Sequence, residues 1–333
     1  MDSPLVSVIL PAHNEEKTLG LALMSLIGDE AAVSMEIIVV DDGSTDKTLE
    51  VARGLVERFN NTRVIHLDEN LGPSSARNVG ASGARGRWLA FLDADSVVDG
   101  NWRVELSLAI NNYPGRVIIG GRILPLYDKR NRFQRIAAKV VSHKPRFDGS
   151  GAVIDLPGGQ MIIRKDEFMA LGGFNESLRA GEDTEFVGRA RKNGLTPVIS
   201  WNLVMFHRAP ETSMELAQRQ FAYGKAFTCH LAHSGEDSLR KTINGGKAVM
   251  SVWWQLGPVM AIAAGLASVE AGIALFAGFL SGWLAILGPK NGYMRKVIGK
   301  LGWYGALVYL LKSWSYQVGS LVGWMETACG TRR

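Results

Sequence analysis

The chain has 333 residues, a formal net charge of +5, a sequence pI near 9.2 and two cysteines. That length suits one catalytic domain of about 240 residues with an appendage, and the basic balance suits anionic ligands or an anionic membrane surface. Cys229 and Cys329 support neither a disulfide framework nor a zinc pattern, the basic residues form no long block of the kind that binds nucleic acid, and Met1-Asp2-Ser3-Pro4 lacks the basic start of a secretory leader.

Four β-rich runs come first. Val6-Ser7-Val8-Ile9-Leu10 leads into Pro11-Ala12-His13-Asn14-Glu15-Glu16. Glu36-Ile37-Ile38-Val39-Val40 ends in Asp41-Asp42-Gly43-Ser44-Thr45-Asp46. Arg63-Val64-Ile65-His66-Leu67 precedes Asn70-Leu71-Gly72-Pro73-Ser74-Ser75-Ala76-Arg77-Asn78, and Trp88-Leu89-Ala90-Phe91-Leu92 ends in Asp93-Ala94-Asp95. Between the second and third, Ala52, Leu55, Val56 and Phe59 recur at helical spacing. Apolar strands alternating with helices predict an α/β domain whose parallel sheet is covered on both faces. Ligands of such sheets bind at the carboxyl ends of the strands, and every polar cluster above falls at one of those ends.

Asp93-Ala94-Asp95 carries the most chemistry. Two carboxylates in a core would be costly, but at a strand edge they can jointly hold a hard divalent cation that arrives with a diphosphate. No Gly-rich phosphate loop follows the first strand, which argues against a dinucleotide-binding dehydrogenase or a P-loop ATPase. Neutralising a diphosphate therefore falls to a metal on Asp95 and to basic side chains. Farther along come Leu156-Pro157-Gly158-Gly159-Gln160-Met161-Ile162-Ile163-Arg164, Leu171-Gly172-Gly173-Phe174-Asn175-Glu176 and Gly181-Glu182-Asp183. His207 follows Val204-Met205-Phe206, and Gln218-Arg219-Gln220-Phe221-Ala222-Tyr223-Gly224-Lys225 is basic and aromatic.

Taken in order, Pro11…Asn14-Glu15-Glu16, Val40-Asp41-Asp42-Gly43-Ser44-Thr45-Asp46, Gly72…Ala76-Arg77-Asn78, Asp93-Ala94-Asp95 and Gly181-Glu182-Asp183 resemble the family 2 inverting glycosyltransferases of the GT-A fold, over about residues 5–225. The resemblance implies a Rossmann-like, mixed but mainly parallel sheet flanked by helices. It implies that Pro11 and Glu15 line a nucleoside pocket, that Asp42 hydrogen-bonds the base, and that Arg77 sits near the base or phosphates. Asp93 would face the ribose or the metal, and Asp95 would bind Mg2+ or Mn2+ bridging the diphosphate. His207 would complete the metal site or contact the diphosphate, Arg219 and Lys225 would clamp phosphate, and Asp183 would be the general base. Each motif also has a plainer reading. Asp41-Asp42-Gly43-Ser44 is good turn and helix-cap chemistry, Asp46 suits a helix start, and Gly158-Gly159 could be a simple turn.

The base assignment has its own chemical reason. Inverting transfer is one displacement opposite the leaving diphosphate and needs one carboxylate as base. It does not need the two flanking carboxyl groups of glycoside hydrolysis. The sequence supplies an acid pair and, about ninety residues later, a separate carboxylate.

Beyond about residue 240 the character changes. From Ala248 to Pro289 the one charged side chain is Glu270. This is expected to be a membrane hairpin over about 248–288, at about 20 residues per span, with a buried soluble hairpin as the alternative. Lys290, Arg295, Lys296 and Lys300 follow, which would put both hairpin ends and the catalytic domain on the cytoplasmic side of a cell membrane. A stretch over about 301–325 reads as an interfacial amphipathic helix or a third span. The expected domains are thus a GT-A catalytic domain, 1–240, and a membrane-associated helical region, 241–333.

The expected function is metal-dependent transfer from a nucleotide sugar, with UDP as the default, to a lipid-linked or glycan acceptor in surface polysaccharide or glycolipid assembly. Nucleic acid is not an expected partner. One alternative is a polyprenyl-phosphate sugar synthase, whose anionic acceptor needs no base. Another is a non-catalytic sugar-nucleotide-binding scaffold subunit. A Gln-x-x-Arg-Trp motif is not formed by Gln218-Arg219-Gln220-Phe221, so addition of a single sugar is expected.

Overall fold

Alternate residues of the first strands enter two different apolar layers, because successive side chains of a strand point to opposite faces. In β1 (Val6–Ala12), Val6, Val8, Leu10 and Ala12 join one buried cluster and Ile9 the other. In β4 (Trp88–Leu92), Trp88, Ala90 and Leu92 take the first side, and Leu89 and Phe91 the second. A strand buried on both faces reads as a continuous apolar run, which is why these segments carry no polar alternation. The computed structural model describes residues 3–27, 33–56, 61–141, 145–178 and 181–233. Within 300–319 it describes residues 300, 301, 304, 307–309, 311–313, 315, 316 and 319.

The remaining strands are β2 (Met35–Asp42), β3 (Thr62–Leu67), β5 (Ser96–Val98), β6 (Val117–Leu126), β7 (Arg146–Phe147), β8 (Val153–Asp155), β9 (Gln160–Arg164) and β10 (Thr196–Arg208). The helices are α1 (Leu19–Ser25), α2 (Thr48–Val56), α3 (Pro73–Gly83), α4 (Trp102–Asn112), α5 (Arg132–Val140), α6 (Lys165–Ala170), α7 (Glu182–Lys192) and α8 (Ser213–His233). Eight strands form one sheet in the order β3-β2-β1-β4-β9-β6-β10-β5. Pairings among β1, β2, β3 and β4 are parallel, as is β6 with β10, while β9 and β5 run antiparallel to their neighbours. The sheet is mixed and mainly parallel, as the sequence led one to expect. The β7–β8 hairpin stands apart from it.

The chain divides into two units. One comprises Met1–Leu126 and Ser142–Ala209 and holds the whole sheet; the other comprises Tyr127–Val141 and Pro210–Arg333. In the second unit Asn131 caps α5 by accepting from the Gln134 amide at 3.0 Å. Ala137, Val140, Leu216 and Val308 form a small core there, with Leu301, Tyr309 and Leu311 against it. The described residues of the 301–325 stretch are mostly helical and contribute to this core. No helix among the described residues is long and apolar enough to cross a membrane. The hairpin expected over 248–288 lies outside the described residues.

Candidate active site

The β1 and β2 carboxyl ends are laced together by one strained residue. Asn14 has φ of 57°, the left-handed region that asparagine tolerates better than most residues. There its Oδ1 accepts from the Thr45 amide at 2.8 Å and its own amide donates to Ser44 Oγ at 3.0 Å. The Glu15 amide donates to Thr48 Oγ1 at 2.7 Å. The Glu15 carboxylate accepts from the Thr18 hydroxyl. A cavity of about 260 Å³ opens at this end, lined by Asn14, Glu15, Glu16, Lys17, Thr18, Asp46 and Arg208. Pro11 is half-buried at the same strand end.

Asp42, expected to meet the base, is buried and uses both oxygens on backbone. Oδ1 accepts from the Leu71 amide at 2.8 Å and Oδ2 from the Gly72 amide at 2.9 Å. It thereby sets the loop that starts α3. Gly43, with φ of 62°, lets that loop close in, since a Cβ there would fall 2.5 Å from the Glu69 carbonyl carbon. Neighbouring Asp41 is fully buried and pairs with His66 Nδ1 at 2.7 Å.

Strand pairing explains why His207 meets the acid pair 112 positions earlier. Antiparallel β5 begins immediately after Asp95, and its register sets His207 opposite Ser96. The Arg208 amide then donates to the Asp95 carbonyl at 3.3 Å. His207 Nε2 lies 3.2 Å from Asp95 Oδ1 and 3.7 Å from Asp93 Oδ2. The ligand atoms of all three residues fall within 4.8 Å of one another. The Nδ1–H of His207 donates to the Arg208 carbonyl at 3.1 Å, so Nε2 is the nitrogen that faces the carboxylates. A backbone carbonyl fixing the tautomer of a ligating imidazole is a recurrent arrangement around metals. The donor set of two carboxylates and one imidazole fits a divalent cation.

Asp183 is the second residue of α7, beside the segment joining β8 to β9. Gly181, at φ of 78°, turns the chain into the helix. Three acids then occupy its first turn, Glu182, Asp183 and Glu185, where the helix dipole favours negative charge. Asp183 Oδ2 accepts from the Gly158 amide at 2.8 Å, and Oδ1 from the Thr184 amide at 2.7 Å. The small size of Gly158 and Gly159 is needed here. A Cβ on Gly158 would sit 2.9 Å from the Asp183 Cβ, and one on Gly159 would sit 2.4 Å from Asp93 Oδ2. Two consecutive glycines therefore touch the expected base on one side and the expected metal ligand on the other. Phe91, Phe168, Phe174 and Phe186 pack in tilted and edge-on pairs with centroids 5.0 Å to 5.2 Å apart, anchoring α7 to the sheet.

Arg77 lies deeper than expected. It is 5% exposed, with Nη1 on Glu182 Oε1 at 2.6 Å and Nη2 on Asp93 Oδ1 at 2.8 Å. Burial pushes the Glu182 carboxyl above its ordinary range while the Arg77 charge pulls it down. Arg219 and Lys225 lie on α8 in the second unit, where Arg219 pairs with Glu215 at 3.0 Å. Sequence reasoning passed over Asp155. Its Oδ2 accepts from Arg146 Nε at 2.7 Å and faces the Thr184 hydroxyl at 3.3 Å, and burial, reinforced by the nearby Asp183 charge, raises its pKa. The one signal was its position just ahead of Leu156-Pro157-Gly158-Gly159.

A mainly parallel α/β sheet with an acid pair at a central strand end and a carboxylate on the facing helix defines the GT-A class of transferase folds. The mannosyltransferase PcManGT from Pyrobaculum calidifontis, solved in complex with GDP-Man and Mn2+, superposes with a TM-score of 0.59 at 16% identity, covering 100% of this chain and 89% of that one. Residues 7–172 match the family described as Glycosyl transferase family 2. The chain belongs to glycosyltransferase family 2. Glycosyltransferase AglE from Haloferax volcanii is 27% identical over 227 residues, 67% of this chain and 72% of that protein. An uncharacterized glycosyltransferase from Haemophilus influenzae is 31% identical over 114 residues, 34% of this chain and 45% of that protein. The chain thus spans about half the length of the latter relative.

Proposed function

We propose that the protein is a metal-dependent, inverting glycosyltransferase that moves one sugar from a nucleotide-sugar donor to an acceptor hydroxyl. The observation that carries this reading is the Gly158-Gly159 step, which touches Asp183 through one glycine and Asp93 through the next. A base and a diphosphate site on either side of one small floor suit a single in-line displacement. Asp183 takes the acceptor proton as the new C–O bond forms at the anomeric carbon. The bond to the diphosphate oxygen breaks, and that oxygen keeps the electron pair. A divalent cation bound by Asp93, Asp95 and His207 would neutralise the departing diphosphate. Both Asp183 oxygens accept backbone amides, which aims the carboxylate while leaving a lone pair on each for the acceptor.

The acceptor is proposed to be a lipid-linked glycan, with the catalytic domain at the cytoplasmic face of a cell membrane. Support comes from the sequence between Ala248 and Pro289, with Glu270 its one charged residue, followed by Lys290, Arg295 and Lys296.

The test is nucleotide release from a panel of UDP- and GDP-sugars by purified full-length protein in detergent, with Mn2+ or Mg2+ and membrane lipid extract. Metal-dependent release that disappears in both Asp95→Asn and Asp183→Asn supports the reading. Full activity in Asp183→Asn would shift the acceptor to a phosphate that needs no base, and binding without release would indicate a scaffold.

A further inference from the structure

The guanidinium of Arg77 joins two carboxylates that belong to different halves of the site. Asp93 ends β4 in the acid pair; Glu182 opens α7 directly before Asp183. The two are 89 positions apart in sequence, and in space the Arg77 guanidinium bonds both, at 2.8 Å and 2.6 Å. Its plane is constrained further by the Phe174 ring, 5.7 Å from the guanidinium carbon, and Phe174 belongs to the cluster that seats α7. At 5% exposure Arg77 presents almost no surface to a nucleotide. A buried arginine with a carboxylate on each arm is a fixed spacer. Its fork geometry sets both directions at once, which a lysine ammonium cannot reproduce.

We infer that Arg77 is a positioning residue that fixes the base-bearing start of α7 relative to Asp93 without touching either substrate. This rests on the transferase reading above. It assigns the arginine of the Gly72…Arg77-Asn78 motif to the alignment of base with leaving group, and Glu182 to the same device. Asp183 is the group that takes the proton, whereas Glu182 holds the helix that carries it.

The test uses the full chain with Mn2+ and whichever sugar nucleotide the wild type hydrolyses, water serving as acceptor. Mn2+ binding in the presence of UDP is read separately by electron paramagnetic resonance, and the thermal midpoint is recorded for each variant. Glu182→Gln keeps the shape but removes the charge from the α7 arm. It is expected to lower turnover at saturating donor about tenfold, while Mn2+ binding stays within about twofold. Arg77→Lys loosens both arms and is expected to lower turnover about a hundredfold and to weaken Mn2+ binding about tenfold. If Arg77→Lys fails to fold, Glu182→Gln decides alone. Wild-type turnover in Glu182→Gln overturns the inference, as does a loss matched only by loss of folded protein. A wild type that binds Mn2+ and UDP but hydrolyses no sugar nucleotide overturns the transferase reading beneath it instead.

Discussion

Gly159→Ala isolates the contact between the glycine step and the acid pair. The substituted residue needs no unusual backbone, because Gly159 is absent from the left-handed glycines, so the effect is purely steric. Its Cβ would lie 2.4 Å from Asp93 Oδ2, 3.2 Å from Cγ and 3.5 Å from the Met205 methyl carbon. Ordinary contact begins at 3.4 Å, so the Asp93 carboxylate must retreat by about 1 Å. It cannot retreat freely, since Oδ1 is held by Arg77 at 2.8 Å. Overpacking of this kind costs about 1–3 kcal/mol of stability. A displacement of about 1 Å in a reacting constellation costs about a hundredfold in rate. The assay is Mn2+-dependent nucleotide release by the purified full chain, with the thermal midpoint measured in parallel. Gly54→Ala serves as control: Gly54 is exposed on α2, nothing lies within 4 Å of its added methyl, and helix propensity predicts a gain of about 0.5–1 kcal/mol. Gly159→Ala with wild-type turnover and an unchanged metal requirement would refute the proposed role of this contact.

Removal of the cation with a chelator should abolish nucleotide release, and Mn2+ or Mg2+ should restore it; Asp95→Asn should remain below about one hundredth of wild type at any metal concentration. Phe174→Ala opens the four-ring cluster and should cost about 3–5 kcal/mol in urea unfolding, with turnover falling as α7 loosens. Glu36, 2% exposed, accepts from Ser7 Oγ at 2.6 Å, from the Arg85 amide at 2.6 Å and from the Arg85 and Arg63 side chains. Glu36→Ala should cost about 3 kcal/mol. Burial opposes ionisation of Glu36, yet these donors together hold its pKa below the ordinary 4.5. A depressed folded value means that its stabilisation is complete above 4.5 and disappears as pH falls through the lower folded value. The stability difference between wild type and Glu36→Gln should therefore be flat at neutral pH and shrink only below 4.5 in acid unfolding titrations. A difference that grows on acidification would contradict this.

β1, β2 and β4 were legible because each is buried on both faces, and such runs are continuous in sequence, whereas β3 lies at the sheet edge, is mostly half-buried and was read from its β-rich run. Their carboxyl-end clusters followed from the general geometry of parallel sheets. The β7–β8 hairpin and α5 were not read, since one has strands of two and three residues and the other carries its apolar side chains among five arginines and lysines over 129–139. Individual roles were harder to see than motif membership. Asp42 reads as a partner of the base or, more plainly, as turn chemistry, and the structure commits both its oxygens to the next loop. Arg77 reads as a ligand contact, whereas it is buried between two carboxylates of the same chain. Sequence spacing reports which strand end a residue occupies; it does not report which of the neighbouring charges will claim it.

His207 shows what the missing information is. The family resemblance pointed to this histidine, but nothing within β10 marks it as a partner of Asp95, and the strand pairs with β6 along eight positions before reaching it. The link is made by β5, three residues long, which reverses direction just after the acid pair and zips onto the end of β10. A turn of that kind fixes both the distance and the side of approach, because moving the register by one residue would send the imidazole to the opposite face. The same logic governs Gly158-Gly159, where β9 runs antiparallel to β4 and delivers its leading glycines beside Asp93. Two short antiparallel strands in a mainly parallel sheet thus bring the metal-side histidine and the glycine floor to one strand end. An insertion of a single residue between Asp95 and Ser96 should separate His207 from the acid pair and weaken Mn2+ binding in the presence of UDP by about tenfold or more, comparable to losing one ligand-supporting group. Mn2+ binding that survived such an insertion unchanged would place the cation elsewhere.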